Sequence, residues 1–221
     1  MKTGQELARA QQDRWQAAYE QNPRLNGREP SAAARWTAAL FGAEGIDDVL
    51  ELGAGHGRDA FYLAGQGFSV HATDFSEAAL DQLRLDAQRE GLDDRVTAAL
   101  HDVRDPLPPA DATVGAVYAN LLLNMAFSRA ELRSLMHEIR RVLRPGGLFV
   151  YSVWSTEDPC HDNGDELGDG LLDKQGFACR FFDRELIHEL ADRWELRDVA
   201  PYREGQRRLW RITQAKGGTA A

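Results

Sequence analysis

Apolar and polar positions along the chain change period near residue 46. Before it, Leu7, Trp15, Ala18 and Tyr19 recur at helical spacing, Asn22-Pro23 breaks the pattern, and a second helix is expected from about Ser31 to Phe41. Residues 1–45 therefore read as a helical cap or lid on the rest of the chain. From Asp47 the pattern becomes strand, glycine turn, helix, and it repeats. Asp48 to Leu52 is short and apolar, Gly57 to Ala64 is helical, Phe68 to Thr73 is a strand, and Ser76 caps a helix running to Glu90. Successive βα units imply parallel strands joined by crossover helices, an α/β fold.

Arg95 to Leu100 and Thr113 to Ala119 are the next two strands, joined through Pro106, Pro108 and Pro109. Ser128-Arg129-Ala130-Glu131 is a capping box, in which serine and glutamate satisfy free backbone donors at a helix start. The helix it opens aligns Leu132, Leu135, Met136, Ile139 and Leu143, and Arg144-Pro145-Gly146-Gly147 stops it before a buried strand from Leu148 to Trp154. Residues 155–182 are polar and irregular, the form of a substrate loop. Asp183 caps a helix with Leu186, Ile187, Leu190 and Trp194 inward. Two last strands, about 195–200 and 206–212, stand too close for a crossover helix and should form an antiparallel hairpin. Residues 214–221 are expected to fray.

Composition narrows the class. At 221 residues the chain suits one domain of ordinary size, and with 43% hydrophobic and 28% charged residues it is globular, not disordered. No run reaches the roughly 18 apolar residues of a membrane span, and the first residues lead into a polar helix without a signal-type apolar core, so a cytoplasmic protein with no membrane partner is expected. Lysine plus arginine number 26 against 35 aspartate plus glutamate; the net charge of −9 argues against a nucleic-acid partner, whose phosphates need neutralising. Cys160 and Cys179 have no CxxC or zinc-type spacing, and Cys160-His161-Asp162 are adjacent and cannot easily share one tetrahedral ion, so no metal is expected and the thiols should be reduced.

The sharpest local signal is Glu51-Leu52-Gly53-Ala54-Gly55-His56-Gly57-Arg58. Its glycines follow a buried strand and precede a helix, which lets backbone approach a ligand at the strand's carboxyl end. A dinucleotide fingerprint, GxGxxG, would place its third glycine at position 58, where this chain has arginine. The segment resembles the first motif of the class I S-adenosylmethionine-dependent methyltransferases, over about residues 46–154 at motif level and more loosely to the end. That resemblance implies a Rossmann-like seven-stranded sheet, mostly parallel with a C-terminal antiparallel hairpin and helices on both faces. It also implies S-adenosylmethionine as cofactor, held by Glu51, Gly53, Ala54, Gly55, Gly57 and Arg58. Asp74, with Phe75 and Ser76, matches the acidic strand end that accepts from the ribose hydroxyls; a carboxylate has the lone pairs for a vicinal diol. Asp102-Val103 match the pair at the adenine, and Asn120-Leu121 sit where that family's sheet opens onto the methionine moiety and the methyl group.

More narrowly, the chain resembles the tellurite-resistance type of small-molecule methyltransferases and their thiol- and chalcogen-directed relatives. It does so through Gly55-His56-Gly57-Arg58-Asp59-Ala60-Phe61, Asp158-Pro159-Cys160, Phe181-Phe182 and Glu204-Gly205 before Arg207-Arg208. It departs at Gln206, where that type has histidine. The expected acceptor is a small nucleophile such as a thiol or chalcogen oxyanion, leaving S-adenosylhomocysteine. His161 is a candidate base, or a solvated loop histidine. Asn120 and Arg180 join it as candidate catalytic groups. Trp154, Arg207 and Arg208 are candidate substrate contacts, the arginines as a clamp on an anion or as solvated hairpin residues. Trp15 and Tyr19 share a helix face and either close over the cofactor or simply dock the helix.

About 170 residues, from 46 to 213, meet the needs of such a sheet, leaving some 45 in front and the 155–182 loop for the substrate, with no segment left for a separate recognition domain. A protein- or RNA-directed methyltransferase, a non-catalytic S-adenosylmethionine-binding module and a nicotinamide oxidoreductase are the alternatives. Oligomeric state is not legible in the sequence.

Overall fold

The computed structural model describes residues 3–217. Five parallel strands come first: β1 (Asp48–Leu52), β2 (Ser69–Asp74), β3 (Val96–Leu100), β4 (Val114–Asn120) and β5 (Leu143–Trp154). The C-terminal hairpin, β9 (Glu195–Glu204) and β10 (Arg207–Ala215), completes a seven-stranded sheet in the order β3-β2-β1-β4-β5-β10-β9, with β10 antiparallel to both neighbours. Gly205, at positive φ, opens the two-residue turn between them. Pro201 lies in β9, the edge strand, where a missing N–H costs no interior ladder bond.

Alternation along the strands divides the core. Leu50, Val117, Ala119, Phe149 and Tyr151 face α5 (Arg129–Val142) and α6 (Arg184–Leu190). Val49, Ala116, Tyr118, Leu148 and Val150 face the opposite layer, made by α2 (Ala32–Ala43), α3 (Arg58–Gly65) and α4 (Glu77–Glu90). Both faces are therefore covered, as a mostly parallel sheet requires. The expected capping box is present: Ser128 Oγ accepts from the Glu131 backbone N–H, and Glu131 accepts from that of Ser128. The strand order reverses between β1 and β4, and the crevice at their carboxyl ends is where ligands of such sheets bind.

Three expectations are corrected. The helix expected to carry Leu143 ends at Val142, and the strand expected from Leu148 begins at Leu143, so that Arg144-Pro145-Gly146-Gly147 lie within it. Residues 155–182 are not irregular throughout. They carry a second antiparallel sheet of β6 (Asp165–Gly168), β7 (Leu171–Lys174) and β8 (Phe177–Arg180). Asp169-Gly170 and Gln175-Gly176, all at positive φ, form two-residue turns of the kind whose twist suits a hairpin. The strand expected to end near 212 runs to Ala215, because Gln214 and Ala215 pair with Phe149 and Leu148 and are buried instead of frayed. The last four residues of the expected tail, 218–221, lie outside the described residues. Among the described residues, no helix is long and apolar enough to cross a membrane, no three potential ligands cluster for a metal, and both cysteines are free.

Candidate active site

A cavity of about 680 Å³ opens over the carboxyl ends of β1, β2 and β4, roofed by α1 (Gly4–Gln21) and walled on one side by the small sheet. That size falls within the roughly 300–1,000 Å³ of small-molecule and cofactor sites. Of the residues expected from sequence, it brings together Trp15, Tyr19, Glu51, Gly53, Ala54, Arg58, Asp74, Phe75, Asn120, Leu121, Trp154 and Arg207.

The glycine loop forms its floor. Gly57 takes a left-handed conformation as the N-cap of α3, and a Cβ there would stand 2.8 Å from Leu83 Cγ, so glycine lets the loop press against α4. Asp74, at the end of β2, accepts from the Gly55 N–H at 2.8 Å through Oδ2 and from the Ser76 N–H at 2.9 Å through Oδ1. Burial raises its pKa against the pull of these backbone donors, and the nearby charge of Asp102 adds to the rise. Each oxygen keeps a further lone pair for a ligand. Glu51 is 3% exposed and its Oε2 has no hydrogen-bond partner, although it lines the cavity. Burial first, and the Asp59 charge next, hold its pKa well above the ordinary value. A buried polar atom without a partner is costly, and one facing a cavity calls for a donor from a ligand.

Beside it lies a network that the sequence did not reveal. The Asp59 carboxylate accepts from Ser31 N and Oγ, both at 2.8 Å, and at 3.1 Å from each of Tyr118 Oη, Asn120 Nδ2 and Arg58 Nε. Asn120 is held from its other end as well, since its Oδ1 accepts from Ser152 Oγ. The amide thus enters the cavity with a fixed orientation, anchored to α2, α3 and β5 at once. Leu121 follows at φ +56°, a conformation that costs about 1–2 kcal/mol outside glycine and that recurs at ligand sites. The signal for Asp59 was its place one turn before Leu63 on the inward face of α3: both are buried.

Helix α1 closes the cavity by contacts to both of its halves. Toward the glycine loop, the Tyr19 hydroxyl approaches so closely that a Cβ on Gly55 would lie 2.5 Å from it. Burial, then the charge of Asp74, raises the Tyr19 pKa, so this hydroxyl remains a neutral donor. Gln16 Oε1 accepts from Ser76 Oγ at 2.8 Å. Toward the small sheet, buried Gln11 donates to Ala178 O and accepts from Ala126 N–H, both at 2.8 Å, and Arg14 donates to Gln175 O while lying over the Phe177 ring. The loop after α1 is pinned by the glycine segment itself: Asn26 N–H donates to His56 Nε2, and Arg58 Nη1 donates to Asn26 O. Burial lowers the His56 pKa, which favours the neutral ring needed to accept that bond.

The far half is aromatic and cationic. Trp154 and Phe181 have ring centroids 5.4 Å apart, Trp15 and Phe177 5.9 Å apart, and Met125 and Leu122 add apolar surface. Arg207 lies over the Trp154 ring and pairs at 3.3 Å with Asp158, which is wholly buried. Burial opposes ionisation of Asp158, yet the backbone donors of Arg208 and Cys160 together with Arg207 hold its pKa below the usual range.

Other expected residues stand elsewhere. Arg180 is 1% exposed and does not line the cavity. Its guanidinium donates to Phe127 O at 3.0 Å and to Asp169, so it ties β8 to the segment before α5 and is not placed to act on a substrate. His161 lies behind Phe181, edge-on to its ring, with Nδ1 3.1 Å from exposed Asp162, and does not line the cavity either. Arg208 uses its backbone N–H on Asp158 and its side chain on Glu157 O, outside the cavity. Asp102 accepts from Arg104, and Val103 is packed in the core beneath α5. Ser76 caps α4, and Gly55 and Gly57 shape the loop without lining the cavity.

Residues 49–147 match a family model described as a methyltransferase domain. Among curated proteins the chain is similar to a sterol 24-C-methyltransferase of Gibberella zeae, 32% identical over 157 residues, covering 63% of this chain and 40% of that protein. It is also similar to a dimethylglycine N-methyltransferase of Parasynechococcus marenigrum, 33% identical over 122 residues, covering 54% and 40%. The chain thus spans about two fifths of the length of these relatives. Among solved structures, a Burkholderia thailandensis 1,6-didemethyltoxoflavin-N1-methyltransferase with bound 1,6-didemethyltoxoflavin and S-adenosylhomocysteine superposes with a TM-score of 0.76 at 24% identity, over 98% of this chain and 92% of that one. The fold is that of the Rossmann-like methyltransferases.

Proposed function

We propose, for a chain that carries a methyltransferase domain match and the methyltransferase fold, that it binds S-adenosylmethionine and transfers its methyl group to a small-molecule nucleophile. The observation that carries this reading is the orphaned Glu51 Oε2 at the cavity floor, close to Asp74. A ligand bearing an ammonium group and a vicinal diol fits both: Glu51 accepts from the ammonium, and the free lone pairs of Asp74 accept from the diol. Arg58 and the neutral Tyr19 hydroxyl supply donors for a carboxylate on the same ligand. The reversed β10, and arginine in place of a third glycine at position 58, separate this site from an all-parallel dinucleotide fold.

When bound, the cofactor supplies a methyl group that its sulfonium already makes electrophilic, so that the acceptor's lone pair forms the new bond to carbon while the carbon–sulfur pair stays on sulfur. The chain's own residues position the acceptor and exclude water. Asn120, locked by Asp59 and Ser152, and Leu121 form the wall between the two halves, and α1 roofs both. No side chain at this wall is a strong base, so the acceptor must arrive with a free lone pair. The small-molecule acceptors in the names of the relatives support this scale of substrate. A thiol or chalcogen oxyanion is the narrower reading from sequence, supported by the resemblance around Arg58-Asp59 and Arg207-Arg208.

The test is methyl-labelled S-adenosylmethionine incubated with a panel of thiols, sulfide, selenite, tellurite, amines, phenols and N–H heterocycles. Label in an extractable small product is the expected result. Cofactor binding with no transfer to any of them would leave a binding module or a macromolecular acceptor as the better reading.

A further inference from the structure

We infer that the far half of the cavity is a site for a flat, weakly acidic aromatic molecule, a phenol, an enol or an N–H heterocycle, held as its anion between aromatic faces and the side chains of Lys174 and Arg207. The inference rests on the methyl-transfer reading and puts an aromatic acceptor in place of the thiol or chalcogen oxyanion read from the sequence.

Three observations carry it. The walls are rings: Trp154 with Phe181, and Trp15 with Phe177, line this half with flat apolar surface, which suits a planar aromatic ligand better than a small thiolate or oxyanion. Both cations that line this half lie over rings, Arg207 at 5.1 Å from the Trp154 centroid and Lys174 at 5.4 Å from that of Phe181, so each ring carries a positive charge on one face and a ligand packed beside it meets that charge. Finally, the charge balance is positive. Lys174 holds the carbonyls of Cys160 and His161 and forms no ion pair among the described residues. Neither acid close to this half lines the cavity: Asp158 is occupied by Arg207 and two backbone donors, and Asp173, whose charge reaches Cys179, accepts from the Gly176 N–H.

The other titratable groups facing the space do not supply a competing anion. Burial pushes the Cys179 thiol up to about 11, and His161 lies behind Phe181. Cys160 lines the same wall beside the backbone carbonyl that Lys174 holds. With Arg207 already paired to Asp158, the charge of Lys174, which has no ion pair among the described residues, favours the ionised form of a weak acid, whose proton leaves to solvent as the anion binds. This also removes the need for a side-chain base at Asn120.

The probe is 4-nitrophenol, whose anion has its own absorption band, titrated into the full chain loaded with S-adenosylhomocysteine at a pH about one unit below the probe's pKa. The expected result is saturable binding with growth of the anion band, the ratio of anion to neutral form being about tenfold higher in the bound probe than in the free one. Neutral 4-nitroanisole should bind more weakly. Arg207→Met and Lys174→Met should each reduce the ionisation while retaining S-adenosylhomocysteine, which certifies their folding. Absence of probe binding to a chain that does bind S-adenosylhomocysteine, or binding with the probe's ionisation unchanged, would overturn the inference and leave the methyl-transfer reading standing. Failure to bind S-adenosylhomocysteine at all would overturn both.

Discussion

Replacing Asp59 by alanine removes the acceptor shared by Ser31, Tyr118, Asn120 and Arg58. Two of the four cannot turn to water: Ser31 and Tyr118 are fully buried, and since their hydroxyls still bond each other at 3.1 Å, together they leave one backbone N–H and one hydroxyl proton without an acceptor. At about 1–3 kcal/mol for each buried group left unsatisfied, and with the burial cost of the carboxylate recovered, the net loss should be about 3–5 kcal/mol, the range for breaking one side of a buried charged network. Asn120 and Arg58 line the cavity and can find solvent, so they add little to stability but lose their orientation. Urea unfolding measures the change as a lower midpoint at unchanged slope. A second variant separates the network from a simple void. Tyr118→Phe should destabilise the wild type yet cost less in the Asp59→Ala background, because the hydroxyl has then already lost its carboxylate partner and keeps Ser31 Oγ. A loss below about 1 kcal/mol, or strict additivity with Tyr118→Phe, would refute the reasoning.

Glu51 predicts a pH dependence. Its folded pKa is raised, so the folded chain keeps a proton that the unfolded chain releases once pH passes the ordinary value of 4.5; stability should fall as pH rises from there to the folded value, and Glu51→Gln should flatten that fall in thermal melts across pH. Over the same window, affinity for a ligand bearing an ammonium should rise with pH and its binding should release a proton, detectable as buffer-dependent heat. Gly55→Ala should loosen the roof through its left-handed φ and the clash with Tyr19, at about 1–2 kcal/mol for the conformation alone; Tyr19→Phe in the same chain should restore part of the loss, read by tryptophan fluorescence of Trp15. Gln11→Leu strands Ala178 O and Ala126 N–H, so hydrogen exchange across α1 should speed up while exchange in β1 and β4 stays slow.

The sequence made the sheet legible wherever period and punctuation agreed. Gly53, Gly55 and Gly57 after β1, the Ser128-Glu131 capping box and Arg144-Pro145 each carry a local physical requirement, and each falls where its element begins or ends. The small sheet was missed because its strands have four residues each and few apolar positions to alternate, although Asp169-Gly170 is a hairpin signal in its own right. Arg180, Asp59 and Asp158 show a deeper limit. Whether a charged side chain is a solvated face, a buried tie or a substrate contact depends on partners distant in sequence: Phe127 for Arg180, Ser31 and Tyr118 for Asp59, Arg207 for Asp158. Of the residues expected to hold the cofactor, Glu51, Gly53, Ala54, Arg58, Asp74, Phe75, Asn120 and Leu121 line the cavity because local pattern fixes their strand ends, whereas Asp102 and Val103 do not. The far half depends on how a hairpin, a loop and the first helix meet.

The most direct test of the account is calorimetric titration of the wild-type chain and of Asp74→Ala with S-adenosylhomocysteine, alongside NAD. One saturable site in the wild type, no heat from NAD, and affinity about tenfold to a hundredfold lower in the variant, the equivalent of about 1.5–3 kcal/mol for hydrogen bonds to a charged group, are predicted. No heat and no thermal shift with S-adenosylhomocysteine at millimolar concentration, or binding of NAD in its place, would contradict it.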